Sequence, residues 1–199
     1  DLSWGKSEET NQLLQKLNGR LYLIQGNHDH YVKDPNFDSS RFEWIKMYEE
    51  LSDNKRKVIL CHYPIMCYNG QYKLNAEGNP KTYMLYGHVH DTQDQRLLER
   101  FQGITSETTF LNTQGETQHI PCNMINCFCM YSNYQPLTLD EWIACDKNRK
   151  QKSCQNVKRY EKEPSKTGRL KVFIVVYDFL GMSTVPSVSI KDRIASEFC

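Results

Sequence analysis

The chain has 199 residues, a net charge of +1, 39% hydrophobic and 12% aromatic residues, which excludes wholesale disorder and a global field that would draw in nucleic acid. Its length suits one domain with an appendage, and no apolar run approaches the ~18–20 residues of a membrane span. Eight cysteines are too few for a disulfide scaffold. Several sit in apolar runs such as Val58-Ile59-Leu60-Cys61, so a reducing cytoplasm is the expected compartment.

No signal peptide follows Asp1. Ser7 followed by Glu8 and Glu9 predicts a capped helix, with Leu13, Leu14 and Leu17 as its apolar face and Asn18-Gly19 as its end. Arg20–Gln25 predicts a buried strand that stops at Gly26-Asn27-His28-Asp29-His30. Phe42, Ile45 and Tyr48 are at helical spacing and predict a second helix over 39–51. Lys57–Cys61 and Thr82–Tyr86 predict two further strands, ending at His62-Tyr63-Pro64 and at Gly87-His88-Val89-His90. Residues 102–120 show no clear period. Cys122–Met130 predicts another strand, and Thr138-Leu139-Asp140-Glu141 a capping box that opens a short helix. Between Cys145 and Lys171, ten Lys/Arg against three acids give +7, balanced by −6 elsewhere. This basic stretch reads as a linker or solvated helix, with nucleic-acid contact by 147–171 as the alternative. Leu170–Tyr177 predicts a last strand.

Three predicted strands thus deliver histidine or a polar cluster at their carboxyl ends, the place where open α/β sheets bind ligands. Asn carbonyl, imidazole and carboxylate are donors of intermediate hardness that suit Mn, Fe, Zn, Ni or Co. The glycines before Asn27 and His88 allow the backbone to turn close to an ion. Cys122, Cys127 and Cys129 lack the spacing of a zinc ribbon. Tyr63, Tyr68, Tyr72 and Tyr86 flank the motifs and are read as core and rim packing rather than as a stacking platform. His30 and His119 are read as surface residues.

Gly26-Asn27-His28-Asp29, an isolated His62 after an apolar strand, and Gly87-His88-Val89-His90, in that order, resemble the calcineurin-like metallophosphoesterases. Asp1-Leu2-Ser3-Trp4-Gly5 is similar to the segment that starts with the aspartate of that family's G-D motif. His62-Tyr63-Pro64-Ile65 and Pro136–Glu141 resemble small bacterial and phage members. The resemblance implies an α/β fold, a β-sandwich flanked by helices, and hydrolysis of phosphate mono- or diesters with two divalent ions, without a membrane. Asp1 would bridge both ions. Asn27, His62 and His88 would hold the second, and His90 would belong to the first. His28 would protonate the leaving group, with Asp29 orienting its ring.

The family also has an upstream D-x-H, which occurs nowhere in residues 1–199. The expectation is therefore a chain lacking the first strand-helix unit, with Asp1 frayed at a free start and a neighbouring strand left with an unpaired edge. Asp178 is the late candidate for the missing ligand. The expected organisation is a phosphoesterase domain over 1–143, a basic polar linker over 144–169, and a C-terminal strand and tail over 170–199. A non-catalytic scaffold of the same fold and a nucleic-acid-binding module are the rival readings.

Overall fold

The computed structural model describes residues 1–156 and the backbone of Val176–Tyr177. The chain is α/β. Helix α1 (Ser7–Gln15) leads into strand β1 (Leu21–Ile24), then β2 (Phe42–Lys46), β3 (Tyr48–Asp53), β4 (Arg56–Cys61) and β5 (Thr82–Tyr86). Helix α2 (Gln93–Glu107) follows, then β6 (Thr109–Leu111), β7 (Thr117–His119), β8 (Met124–Asn126), helix α3 (Leu139–Asn156) and the short β9 (Val176–Tyr177). One sheet has the order β2-β1-β9, a second β3-β4-β5-β8, and β6-β7 form a hairpin.

Side-chain alternation along the strands explains the layering. In β4, Val58 and Leu60 face one apolar cluster while Ile59 faces another; in β5, Leu85 and Met84 divide the same way, and in β8 Ile125 and Met124. Ile24 of β1 joins Val58, Leu60, Leu85 and Ile125, so both sheets share one apolar cluster, closed by Leu139 and Trp142 of α3. The other face of β1, Leu21 and Leu23, packs on Leu14 of α1. The other face of the second sheet packs on Leu98 and Phe101 of α2.

The predicted helix over 39–51 is a single 3₁₀ turn, Ser39–Arg41, followed by the two strands β2 and β3. Leu21 pairs with Phe42, but Tyr22 pairs with Trp44, so Glu43 is a bulged extra residue. Phe42, before the bulge, and Ile45, after it, pack toward one cluster, and Trp44 toward the other. Pairing with β1 outweighs the helical spacing. The predicted strand over Cys122–Met130 shrinks to β8, because Asn126 Oδ1 accepts the N–H of Phe128 at 3.1 Å and the chain turns into a 3₁₀ helix at Cys129–Ser132. Helix α1 ends at Gln15, with Lys6 rather than Ser7 at its cap position.

The capping box before α3 forms as read: Thr138 N donates to Glu141 Oε2 at 2.7 Å and Glu141 N to Thr138 Oγ1 at 3.3 Å. The helix then runs through the start of the expected linker to Asn156. Cys145 packs on the core, and Arg149 bridges Glu99 of α2 and Asp146. The expected strand Leu170–Tyr177 falls within the described residues only at β9, which pairs antiparallel with β1 at Leu21–Tyr22. That stretch of β1 is therefore flanked on both sides. Asp178 lies outside the described residues. No helix among the described residues is long and apolar enough to cross a membrane.

Candidate functional site

Strands β4, β5 and β8 are parallel, and β1 runs parallel to β2. His62 follows β4 directly, and the N–H of Gly87, after β5, donates to the carbonyl of His62 at 3.0 Å. That backbone bond sets the loop after β5 beside His62. The loop after β1 carries Asn27, His28 and Asp29. Gly26 is required there: a Cβ at this position would lie 2.1 Å from Asp1 Oδ1 and 2.8 Å from His62 Cε1. Only hydrogen fits where three segments meet.

The first residues are anchored rather than frayed. Asp1 is 3% exposed, and its Oδ1 accepts the N–H of His28 at 2.8 Å. Asp29, 1% exposed, collects four donors: the N–H groups of Leu2 (2.7 Å), Ser3 (3.3 Å) and Gly26 (2.8 Å), and the Tyr31 hydroxyl (2.9 Å). That carboxylate binds the first segment to the loop after β1, and no hydrogen bond joins it to the His28 ring among the described residues.

Four of the five expected ligands come together. Asn27 Oδ1 lies 2.8 Å from His62 Nε2 and 2.9 Å from His88 Nδ1. The two ring nitrogens are 3.2 Å apart, and Asp1 Oδ2 is 3.6 Å from His62 Nε2. Metal–ligand bonds of ~2.0–2.2 Å set ligand–ligand edges of about 3.0 Å in an octahedron and about 3.4 Å in a tetrahedron. The separations among Asn27, His62 and His88, 2.8–3.2 Å, lie near those edges, and the 3.6 Å from Asp1 to His62 is slightly longer. When His, Cys, Asp and Glu side chains alone are counted, no group of three or more among the described residues is arranged to hold a metal ion. The convergence exists through the Asn27 amide oxygen, which both imidazoles face.

Burial pushes the His62 imidazole down to about 3, with the Asp1 amino group next and then the His88, His90 and His28 rings acting in the same direction. Burial also lowers His88 and His90. Neutral imidazoles are the form that binds metal.

His90 stands apart from the four. Its ring stacks on Phe128 at 5.1 Å and 16°, and its carbonyl accepts Asn126 Nδ2 at 2.8 Å. His88 and His90 both have left-handed backbones, φ 59° and 49°, a conformation that non-glycine residues keep only where the surroundings impose it. Asn126 is one such constraint; its Nδ2 also donates to Gln95 Oε1 at 2.9 Å, which accepts the Tyr86 hydroxyl at 2.8 Å.

Tyr68 and Tyr86 are buried core residues, while Tyr63 is exposed and packs edge-on against His88 at 4.5 Å. Tyr72 packs on Phe110. His30 and His119 are exposed. Sequence reading did not single out Trp4 or Asn126. Trp4 stacks on His28 with centroids 3.9 Å apart and planes 18° apart. Its place three residues after Asp1 was the available signal. Of the ten cations of the basic stretch, Arg149 pairs with Glu99 and Asp146, and Lys150 with Asp146, which lessens their pull on an outside polyanion.

Over 139 residues, 70% of this chain, the sequence is 26% identical to an uncharacterized protein of Methanocaldococcus jannaschii. The match spans 57% of that protein's length, so the chain covers less than two thirds of it. No family model and no solved structure matches the chain.

Proposed function

We propose that this chain carries the site of a metal-dependent phosphoesterase of the calcineurin-like metallophosphoesterase fold. The observation that carries the reading is the meeting of Asn27 Oδ1, His62 Nε2 and His88 Nδ1 within 2.8–3.2 Å of one another, beside the buried Asp1. Two sheets sharing one apolar cluster, with α1 and α2 on their outer faces, support the sandwich. The apolar setting of Cys127, buried among Leu85, Ile125 and Trp142, is the observation that supports a reducing compartment, the cytoplasm.

Asp1, Asn27, His62 and His88 would hold one divalent ion, and His90 with Asp1 would contribute to a second. When bound, such ions supply positive charge at the phosphoryl oxygens and lower the pKa of bound water. The chain's own residues do the rest. A water oxygen attacks phosphorus in line and releases a proton to solvent, the bond to the leaving oxygen breaks, and His28 gives that oxygen a proton, to be reprotonated from solvent afterwards. His28 is suited to this because its ring nitrogens have no hydrogen-bond partner among the described residues, while its backbone N–H is fixed on Asp1.

The test is hydrolysis of phenyl phosphate, p-nitrophenyl phosphate and bis(p-nitrophenyl) phosphate with Mn²⁺, Fe²⁺, Zn²⁺, Ni²⁺ or Co²⁺. Wild type should turn over at least one ester, and His28→Ala should lower kcat by about 10²–10⁴-fold on phenyl phosphate, whose leaving oxygen needs a proton, and far less on the p-nitrophenyl esters, with metal content unchanged. No turnover with any of the five metals would contradict the reading.

A further inference from the structure

We propose that Trp4 is the positioning residue of His28, holding its ring by the face and leaving its edge open to the leaving group. The proposal rests on the phosphoesterase reading above. A proton donor needs a fixed ring, and a carboxylate on one nitrogen is a common way to fix it. Here the adjacent carboxylate is taken: Asp29 is occupied by Leu2, Ser3, Gly26 and Tyr31. The ring contacts of His28 are instead the Trp4 stack at 3.9 Å and the edge of His30 at 6.4 Å.

Trp4 is 49% exposed and belongs to none of the apolar clusters. A tryptophan contributes most to stability when its large ring is buried, so core packing does not explain its position. Its backbone is nevertheless fixed on both sides. Ser3 N donates to Asp29 Oδ1 at 3.3 Å, Gly5 N to Ser3 Oγ at 2.9 Å, and Lys6 N to Glu9 Oε2 at 3.2 Å. A Cβ at Gly5 would lie 2.5 Å from Glu9 Oε2 and 3.2 Å from Ser3 Oγ, so a side chain there would displace the Glu9 carboxylate from the N–H of Lys6. The indole is thus an exposed ring on a pinned turn, laid nearly parallel over one imidazole.

The chemical consequence follows from the direction of the contact. A hydrogen-bonded orienter consumes one ring nitrogen, whereas a stacked one consumes neither. Asp29 still takes part, because it fastens the turn that carries Trp4. Misplacing a catalytic group by about 1 Å can cost 10²-fold in rate, so loss of the stack should appear in kcat rather than in metal uptake.

The experiment compares wild type, Trp4→Leu and Trp4→Phe in the full chain. Metal-free protein is examined by NMR for the His28 Cε1–H resonance, and Mn²⁺-loaded protein is assayed on aryl phosphate esters of graded leaving-group pKa. The indole ring current should displace the wild-type resonance from its position in Trp4→Leu. In Trp4→Leu, kcat should fall about 10–100-fold for phenyl esters and far less for p-nitrophenyl esters, which need little protonation. Metal content should stay unchanged, and Trp4→Phe should recover most of the rate. An equal loss across all leaving groups, or an unmoved His28 resonance, would overturn the proposal. If wild type hydrolyses none of the esters, the phosphoesterase reading falls, and the resonance alone then decides the contact: displaced, the stack stands; unmoved, it does not.

Discussion

The backbone N–H of Leu2 donates to Asp29 Oδ1 at 2.7 Å, tying the first residues to a loop 27 positions away. With Ser3, Gly26 and Tyr31 on the same buried carboxylate, this is the joint that sets Asp1 against His28 and His62. Asp29→Ala leaves three N–H groups to find new partners, at about 1–3 kcal/mol each where they remain buried. It should destabilise the protein by about 3 kcal/mol or more in urea unfolding. Tyr31→Phe removes one donor and strands none, so its cost should be about 1–2 kcal/mol. Equal costs would show that the carboxylate does not organise the segment.

Gly26→Ala tests the close approach at the centre of the site. The added methyl would overlap Asp1 Oδ1 and His62 Cε1, so one of the two must move. Overpacking of this kind costs about 1–3 kcal/mol, and the displaced donor should reduce metal uptake as well. Unchanged thermal stability and unchanged uptake together would mean that the three segments do not meet as described.

The buried imidazoles make stability depend on pH in a definite direction. An unfolded histidine titrates near ~6.5, while burial holds folded His62 at about 3. Between those values the unfolded chain binds more protons than the folded one. The contribution is therefore fully present above pH ~6.5 and is lost as pH falls toward about 3. His88 and His90, lowered mainly by burial, act in the same sense. The urea midpoint of metal-free protein should decline below pH ~6.5, and His62→Gln should flatten the decline. A midpoint that does not change between pH 7.5 and 4.5 would contradict the burial of these rings.

Asn126→Ala addresses the loop of His90 from behind. It removes donors to the His90 carbonyl and to Gln95, and an acceptor for Phe128 N. Stability should drop by about 2–3 kcal/mol, since buried partners lose their bonds. His88, whose contacts are with Asn27 and His62, should keep its place. Metal retention at the Asn27 cluster in this variant, measured by elemental analysis, checks that division.

Strands β1, β4 and β5 were legible because each is a short continuous apolar run ended by polar residues. Strands β2 and β3 were not. The Glu43 bulge breaks the period of two, and what remains, Phe42, Ile45 and Tyr48, imitates a helix. Helix α2 was hidden for a different reason. Its buried positions include Gln95 and Thr105, while Leu97 and Ile104 are exposed, so its apolar residues do not mark its inner face. The positions of the candidate ligands could be read from strand ends. The part played by Asp29 could not, because it depends on backbone N–H groups that carry no mark in the sequence. Trp4 escaped notice because a lone exposed aromatic gains meaning only from the ring beneath it.

The most direct test of the account is equilibrium dialysis of the purified chain against Mn²⁺ or Zn²⁺, with elemental analysis of wild type, Asn27→Ala, His62→Ala and His88→Ala. Wild type should hold about one firmly bound ion per chain and melt at a higher temperature when it is present, because a ligand of the folded state stabilises that state; each variant should lose both effects. Wild-type protein that takes up no divalent ion, or variants that bind as well as wild type, would contradict it.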